Sequence, residues 1–516
     1  MNNTKLALAF FLLLVTFFSA CTKLGPDYAH HNKQSLPKAW DTNSTQSEST
    51  TKEWWKIFDD ETLDLLIEKA YSQNLDLRSA GVRILQARAA LGISEGLTYP
   101  QQQALSGSLA GVRQNAINFS AINTQFDLAW EMDVWGKYAR NIESTEASLY
   151  ASVASYEHIL VSIIAEVARN YINYTTAQER IAFAKGNIAI QERVAQMTKV
   201  QFNAGNVSEL DMQQAKTQLY ATQSAIPSLE LSMIQSRNAL AVLLGLLPSQ
   251  IDSLLKKTKH KKKVSPLKYA NIISYIPQAD LNADFRVNAT LLSRRPDIQI
   301  AELQAKAQNA RIGSAQVELY PHFTLFGSLG ISSNNALNGW RSFGDSISVS
   351  AGPAFTWNIF QYGRIKNQVR IEDAKFQESL NNYNKTVLQA VSEISNALDG
   401  YALNKQQLEL NKKTISASSR AYEISMIQYQ DGMVDYQRLL SSVENLIRSG
   451  DAYALSKGNI ALQIVFLYKA LGGGWQISQG NSYLHKQDLQ KMDKRSDWGE
   501  YLKDENIKLP KEADYE

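Results

Sequence analysis

The most regular pattern in the chain is a pair of long helical stretches. Residues 137–204 contain no proline and only one glycine, Gly186, and residues 364–431 contain no proline and only Gly400. Apolar side chains in the first stretch recur at alternating spacings of four and three, the rhythm of a helix that packs along one face: Leu160, Ile164, Val167, Tyr171 and Tyr174. At 1.5 Å per residue, a helix of about 65 residues is roughly 100 Å long. The pattern therefore predicts two helices far longer than those of an ordinary globular domain.

A glycine follows each of these stretches. Gly205 and Gly432 stand at the same point in the two halves, and a second helical pattern then runs to Leu244 and to Leu471. Glycine is the residue that most readily ends a helix and opens a tight turn. Each half is therefore predicted to contain a long helical hairpin.

A different pattern precedes each hairpin, because apolar and small or polar residues alternate there. Residues 346–355 and 323–331 in the second half alternate in this way, as do residues 125–132 and, more weakly, 105–113 in the first half. A period of two is typical of a strand with two unlike faces, and about ten residues is the length of a tilted strand that crosses a bilayer. The pattern predicts four strands.

The two halves are related by an internal duplication. Trp130 and Trp357 are 227 positions apart, and the same offset relates Gly205 to Gly432. A repeated order of elements over half a chain indicates duplication. Each half is therefore predicted to run helix, two strands, long helix, turn, long helix, which makes the fold mainly α with a membrane β-sheet.

Aromatic and cationic residues stand where the predicted strands meet the long helices. Indole and phenol rings favour the interface between membrane and water, with cations just beyond. The candidate membrane-interface anchors are Trp130, Trp135, Lys137, Trp357, Tyr362 and Arg364.

Four strands cannot close a barrel, since the smallest membrane barrels have eight, and an open edge would leave backbone groups unsatisfied in lipid. The chain is therefore predicted to oligomerise, with eight strands from two copies or twelve from three.

Composition and motif content argue against several classes of function. The chain has 516 residues, is 44% hydrophobic and has a formal net charge of +3, which is unlike a nucleic-acid-binding protein. The six histidines show no metal-ligand spacing, and there is no phosphate-binding glycine motif. We therefore expect no enzyme activity, no metal and no cofactor.

The N-terminus has the pattern of a targeting segment. Lys5 precedes an apolar run from Leu6 to Phe18, and the small residues Ser19 and Ala20 lead to Cys21, the only cysteine. The run is too short to span a bilayer but suits a signal peptide. The segment resembles a bacterial lipobox, which implies a diacylglycerol and an N-acyl chain on Cys21. The alternative is ordinary signal-peptide cleavage.

Seven short motifs together resemble the TolC-like outer membrane factors, in their NodT-type lipoprotein branch. They are CTKLGPDY from Cys21, the Trp54-Trp55 pair with Phe58, NLDL from Asn74, WEMDVWGK from Trp130, GNVSELD from Gly205, RRPDI from Arg294 and GPAFTW from Gly352. The resemblance covers roughly residues 21–475. It implies a homotrimer with a twelve-stranded barrel in the outer membrane, continuous with a coiled-coil helical tunnel in the periplasm of a Gram-negative bacterium.

The resemblance also implies the partners. A periplasmic adaptor and an inner-membrane transporter complete a tripartite, RND-type efflux system, in which this chain is the passive exit duct anchored in outer-membrane lipid. A type I secretion duct is one alternative. The other is a non-porous periplasmic lipoprotein scaffold that binds partners through its coiled coils.

The chain is predicted to divide into five segments. We expect a signal peptide over residues 1–20, the first repeat over 21–244 and an inter-repeat, equatorial linker over 245–285. The second repeat covers 286–475, and the polar residues 476–516 form a C-terminal tail that is predicted to be disordered.

The resemblance places the gate where the long helices turn. The implied aperture residues are Glu209 and Asp211 at the first turn and Tyr429, Asp431, Asp435 and Arg438 at the second, beside the turn glycines Gly205 and Gly432. One position departs from the family pattern, because Ser441 follows Leu439 and Leu440 where many relatives carry an acidic residue.

Overall fold

The structure is a computed structural model of the chain. It describes residues 23–29, 52–114, 117–255, 275–281, 292, 294–335, 340, 343–503 and 505–509. The predicted signal peptide and Cys21 lie outside these described residues.

The first half follows the predicted element order. Its elements are a 3₁₀ helix at Trp54–Phe58, then α1 (Glu61–Gln73), α2 (Leu75–Gly96), β1 (Gln102–Gln114), β2 (Ile117–Glu131), α3 (Lys137–Asn203) and α4 (Glu209–Leu243). The long helix α3 has 67 residues and α4 has 35. The uninterrupted helical pattern of the sequence therefore predicts α3 to within a residue or two of its ends.

The second half repeats this order after a short helix, α5 (Pro248–Leu255). Its elements are α6 (Pro296–Val317), β3 (His322–Asn334), the four-residue α7 (Phe343–Ser346), β4 (Ile347–Thr356), α8 (Arg364–Gln430) and α9 (Tyr436–Ala470). Corresponding helices have equal lengths, since α6 has 22 residues like α2, α8 has 67 like α3, and α9 has 35 like α4. The predicted duplication of elements is confirmed.

The four strands form one antiparallel sheet in the order β1-β2-β3-β4. Its register places apolar residues on one face, as in the row Leu105, Phe126, Leu329 and Val349. The adjacent row lies on the other face and is small or polar: Ala104, Asp127, Ser328 and Ser350. The apolar row is largely uncovered in a single chain, where Leu105 is 76% and Val349 71% exposed. The sheet therefore has one face suited to lipid and one suited to water.

The chain divides into two compact units. The sheet unit contains the four strands and comprises residues 83–154, residues 297–386 and the N-terminal segment. The helical unit comprises residues 36–82, 155–296 and 387–516. The core of the helical unit includes Trp54, whose ring stacks on Tyr468 with centroids 5.3 Å apart. A buried ion pair of 2.6 Å between Lys457 and Glu179 joins α9 to α3 in the same unit.

One prediction about the C-terminal tail is wrong, because the described part of residues 476–509 is folded. Helix α10 (Lys486–Asp493) lies within it, and Arg78 of α2 holds Asp488 of α10 through an ion pair of 2.6 Å. Gly81 leaves no room for a Cβ beside the carbonyl of Tyr483. The apolar residues of the tail lack helical or strand periodicity, yet they are buried: Tyr483, Leu484, Met492, Ile507 and Leu509. The tail therefore folds by packing on other elements rather than by a local pattern.

Among the described residues, α3 contains an 18-residue window with a mean hydropathy of 1.3, and α4 with α5 qualify only as a pair bent by 101°. Since 67% of the α3 window is buried within the chain, its apolarity is that of a core helix.

Candidate gate and membrane-interface sites

The first hairpin turn is closed by backbone hydrogen bonds around Gly205. The amide of Gly205 donates to the carbonyl of Phe202 at 2.9 Å, and that of Asn206 donates to the carbonyl of Gln201 at 2.9 Å. Gly205 has a φ of +77° and nothing lies within 4 Å of a Cβ built on it. This position therefore requires glycine because its backbone is left-handed, and not because a side chain would lack space.

Two of the predicted aperture residues in the first half lie directly after this turn. Ser208 and Asp211 form a reciprocal capping box at the start of α4, in which the Ser208 amide donates to Asp211 Oδ2 at 3.0 Å. The exposed Glu209 accepts a long hydrogen bond of 3.4 Å from Gln213. Asp211 thus has a local structural role, because its carboxylate satisfies an amide that the helix leaves unpaired.

The second turn has the same construction. Gly432 has a φ of +72°, and the Met433 amide donates to the carbonyl of Gln428 at 2.8 Å. Asp435 is the N-cap of α9 and accepts a hydrogen bond of 3.0 Å from the Arg438 amide. The side chains of Asp431 and Arg438 are exposed. Of the predicted aperture residues at this turn, Asp435 is a helix cap, whereas Asp431 and Arg438 project into solvent.

Tyr429 differs from these charged residues because it is buried. It is 3% exposed and packs edge to face on Tyr436, with ring centroids 6.0 Å apart. Burial raises the pKa of both phenols, with smaller contributions from neighbouring charges, so both are neutral at physiological pH. The surrounding cluster joins α3, α4, α8 and α9 close to the turns: Val194, Ala215, Tyr422, Met426, Leu439, Val443 and Leu446. In the single chain Tyr429 therefore anchors the hairpins. The family resemblance placed Tyr429 among the aperture residues, but the sequence did not show that its side chain is buried.

The predicted interface aromatics lie at the end of the sheet where β2 and β3 meet helices. The indoles of Trp130, Trp135 and Trp357 donate to the backbone carbonyls of Thr98, Pro321 and Leu319 at 3.1, 2.9 and 3.0 Å. Tyr362 is fully exposed, and Arg364 is exposed at the first position of α8. The three indoles bond within the sheet unit while presenting apolar surface, an arrangement suited to a membrane interface.

A charged network at this end of the sheet was missed by the sequence analysis. His322 Nδ1 lies 2.7 Å from Glu131, and Lys137 Nζ lies 2.8 Å from Glu318 and 3.7 Å from Glu131. The Tyr138 hydroxyl donates to Glu131 at 3.0 Å. Glu131, Lys137 and Tyr138 are close in the sequence, whereas Glu318 and His322 belong to the second half, so only the fold shows that the two groups meet. Lys137 gives Glu131 a cationic partner, which Glu131 shares with Glu318.

The N-terminal segment 23–29 is clamped by one arginine. Arg140, whose side chain is 1% exposed, donates to the carbonyls of Leu24 and Gly25 at 2.9 Å and pairs with Glu143 at 2.9 Å. Lys23 also pairs with Glu143, at 2.5 Å. The segment that follows Cys21 in sequence is thus held by a buried cation that donates to two of its backbone carbonyls.

The comparisons with known proteins agree with this architecture. The family model described as outer membrane efflux protein matches residues 66–246 and 288–473. Nodulation protein T of Rhizobium leguminosarum bv. trifolii is 29% identical over 405 residues, which cover 77% of this chain and 82% of that protein. The probable outer membrane lipoprotein SilC of Salmonella typhimurium is 25% identical over 471 residues, or 89% and 97% of the two chains.

Solved structures give the same result for the fold. The outer-membrane channel OprN has a TM-score of 0.74 and 29% identity, with 88% of this chain and 99% of that chain covered. The Campylobacter jejuni CmeC outer membrane channel has a TM-score of 0.74 and 25% identity, with 92% and 99% covered. The predicted resemblance is therefore confirmed, and the chain belongs to the outer membrane efflux protein family as an efflux channel protein of the outer membrane.

Proposed function

We propose that three copies of the chain form one passive exit duct, with a twelve-stranded barrel in the outer membrane continuous with a helical tunnel in the periplasm. The observation that carries this proposal is the four-stranded sheet with one apolar and one polar face. Solutes would diffuse through the duct, so the proposal requires no catalytic residue and no cofactor. The energy for export would come from an inner-membrane transporter, reached through a periplasmic adaptor.

The edges of the sheet support assembly with other copies. Within the described sheet, β1 pairs only with β2, and β4 pairs only with β3. Backbone groups that face hydrocarbon without a partner cost several kcal/mol each, so such edges are stable in a membrane only when another chain pairs with them. Three copies give twelve strands, which exceeds the minimum of eight for a membrane barrel.

The helices support assembly as well. In α8, five large apolar residues are 47–65% exposed in the single chain: Ile371, Leu388, Leu403, Leu410 and Ile427. Their counterpart helix α3 instead buries Leu160, Ile164, Val167 and Tyr171 almost completely. Large apolar residues exposed along the length of one of two matched helices are expected where a second copy covers them.

Lipidation of Cys21 remains part of the proposal. Cys21 would carry a diacylglycerol and an N-acyl chain, and two or more acyl chains hold a protein stably to a bilayer. Residues 1–20 would be removed as a signal peptide. The type I secretion duct and the non-porous scaffold remain the alternatives. The scaffold requires the alternating strands to form a sheet in water, where the exposed apolar row of Leu105 and Val349 would be unfavourable.

The oligomer can be tested on the purified, acylated protein. We expect an unheated sample to migrate on a denaturing gel as a slow, compact band and a boiled sample as a monomer of 57.7 kDa less its signal peptide. Light scattering in detergent should give a mass of three chains, whereas a dimer would give eight strands. Migration as a monomer without heating, together with vesicles that stay impermeable, would favour the scaffold.

The gate can be tested with substitutions that keep the turns intact. We propose that Arg438 and Asp435 hold the tunnel end closed. Asparagine caps helices as well as aspartate does, so Asp435→Asn removes the charge without removing the cap. An exposed ion pair contributes at most about 1 kcal/mol, so Arg438→Gln or Asp435→Asn should raise the open fraction by up to roughly fivefold.

Single-channel recordings in planar bilayers measure this effect as the fraction of time that the channel is open. Arg495→Gln is the control, because it neutralises an exposed arginine in the C-terminal tail. If both turn variants conduct like Arg495→Gln, the two charges take no part in the gate, while the duct itself is unaffected by that result.

A further inference from the structure

The polar face of the sheet carries one carboxylate without a cationic partner. Across the four described strands the charged or titratable residues are Arg113, Asp127, Glu131 and His322. Arg113 shares a face with Leu105 near the β1–β2 hairpin, and Glu131 has a cationic partner in Lys137, 3.7 Å away, and lies 2.7 Å from the imidazole of His322. Asp127 instead accepts a hydrogen bond of 2.6 Å from Gln125, a neutral side chain. Its negative charge is therefore uncompensated within these strands.

The neighbours of Asp127 leave this charge uncovered. Its register partners are Ala104 on β1 and Ser328 on β3, and Ser350 lies next in the row on β4. The hydroxyls of Ser328 and Ser350 are 2.8 Å apart and bond to each other. None of these three side chains is long enough to screen the carboxylate, so its field extends over the polar face.

We propose that Asp127 is a selectivity residue, which favours cations over anions in the outer-membrane section of the duct. The inference rests on the proposed function, because the polar face lines a lumen only if several copies close a barrel. Symmetry would then place one Asp127 per copy at the same height. At about 3.3 Å per residue, this ring lies roughly 13 Å along β2 from the charged network at Glu131.

The expected strength follows from screening. The Debye length is about 10 Å at 0.1 M salt and about 3 Å at 1 M. The charge of Asp127 therefore acts on ions a few ångströms away much more strongly at low salt than at high salt. A unit charge about 5 Å from a point in water, screened at 0.1 M, changes the local concentration of a monovalent ion by roughly twofold in either direction. The ratio of cation to anion beside Asp127 should therefore rise by roughly fivefold at 0.1 M and by somewhat less than twofold at 1 M.

An engineered cysteine can report this ratio locally. Ser328→Cys places a thiol opposite Asp127, and the unmodified chain, whose one cysteine is Cys21, provides the blank. Reconstituted channels are treated with a cationic and an anionic methanethiosulfonate in 0.1 M salt. We expect the ratio of the cationic to the anionic rate to be roughly fivefold higher with Asp127 than in the Asp127→Asn background at 0.1 M, and less than about twofold higher in 1 M salt. Ser350→Cys replaces Ser328→Cys if the latter fails to assemble.

The outcomes separate the two proposals. Leu329→Cys lies on the apolar face and should react with neither reagent. If the Ser328→Cys thiol reacts with a ratio that does not depend on Asp127, the selectivity residue is overturned and the duct stays intact. If the Ser328→Cys and Ser350→Cys thiols both resist both reagents, the polar face meets no aqueous lumen, and the duct is overturned as well.

The same residue should change ion flow. In planar bilayers at 0.1 M KCl, Asp127→Asn is expected to lower the permeability ratio of K⁺ to Cl⁻ by about twofold. Asp493→Asn removes an exposed carboxylate of α10 outside the strands and should leave the ratio unchanged. Equal ratios in the two variants would contradict a role for Asp127 in selection.

Discussion

Lysine in place of Val349 is expected to prevent stable insertion of the sheet into the outer membrane, whereas lysine in place of the adjacent Ser350 is expected to be tolerated. Val349 lies on the apolar face in the row of Leu329 and Phe126, and it is 71% exposed in the single chain. Ser350 lies on the polar face beside Ser328. Both residues belong to β4, so the two variants differ only in the face that receives the charge.

The loss of stability depends on whether the lysine faces lipid or water. A lysine that faces lipid near the middle of a membrane strand costs about 2–4 kcal/mol, and the cost falls towards zero near the interfaces. Three copies carry the substitution in the proposed trimer, so the assembly would be destabilised by roughly three times that amount. A lysine that faces a water-filled lumen keeps its hydration and costs little.

The fraction of protein in the outer membrane and the amount of heat-modifiable oligomer measure this difference. We expect both to fall strongly for Val349→Lys and to stay close to the unmodified values for Ser350→Lys. Equal loss in the two variants would mean that β4 tolerates no lysine on either face. Equal tolerance would show that the apolar row does not meet lipid.

Periodicity was sufficient to predict the four strands and the long helices of the two hairpins, because each of these depends on a local pattern. The absence of proline from residues 364–431 predicted α8, and the alternation in residues 346–355 predicted β4. The pairing of strands is not local. Only the register shows that Asp127 lies between Ala104 and Ser328, and the selectivity residue could not be recognised from the sequence for that reason.

At the two hairpin turns, too, the sequence locates the residues but does not show which contacts their side chains make. Family motifs located the turn residues correctly, and both turn glycines have the positive φ that such turns require. The motifs do not separate a capping carboxylate from a free one. Asp211 and Asp435 are engaged by backbone amides, whereas Asp431 and Arg438 are exposed. The aperture is therefore best probed through Arg438.

The tail and the N-terminal segment illustrate a third case, in which residues without local periodicity are held by distant partners. Asp488 is held by Arg78, whose hydrogen bond holds the pKa of that carboxyl below its usual range. The segment 23–29 is held by Arg140. A long-range pair of this kind leaves no trace in the pattern of either partner alone.

Methionine in place of Arg140 is expected to release residues 23–29 and to lower the free energy of unfolding by about 2 kcal/mol or more, because each carbonyl left without its donor costs at least about 1 kcal/mol. The substitution preserves length and helix propensity but removes the donor of two partly buried carbonyls and leaves Glu143 paired with Lys23 alone. Gly313 packs so closely against the Leu24 carbonyl and the Arg140 side chain that even a Cβ at this position would collide with both. Because the packing is this tight, the site has little room to rearrange after the substitution, which adds to the loss of stability.

Arg169→Met is the matched control, since Arg169 lies on the same helix α3 and pairs with Glu166 at a partly exposed site, where the two side chains are 41% and 34% exposed. An exposed pair of this kind contributes at most about 1 kcal/mol. Urea unfolding in detergent measures the difference in stability, and cleavage by trypsin after Lys23 measures release of the segment. If Arg140→Met unfolds at the same urea concentration as Arg169→Met and resists trypsin equally, Arg140 does not hold the segment.

The pH dependence of stability is an independent test of the contact between Arg140 and Glu143. Burial alone would raise the pKa of the Glu143 carboxyl, but hydrogen bonds from Lys23 and Arg140 outweigh burial and lower it from its ordinary value of 4.5. A carboxyl with a lowered folded pKa stabilises the fold above its unfolded pKa, and this contribution is lost as the pH falls through the folded pKa. The unmodified protein should therefore lose stability below about pH 4.5. Arg140→Met should show a shallower loss there, because one of the two cations that favour the ionised carboxylate is gone, whereas Arg169→Met should keep the full slope.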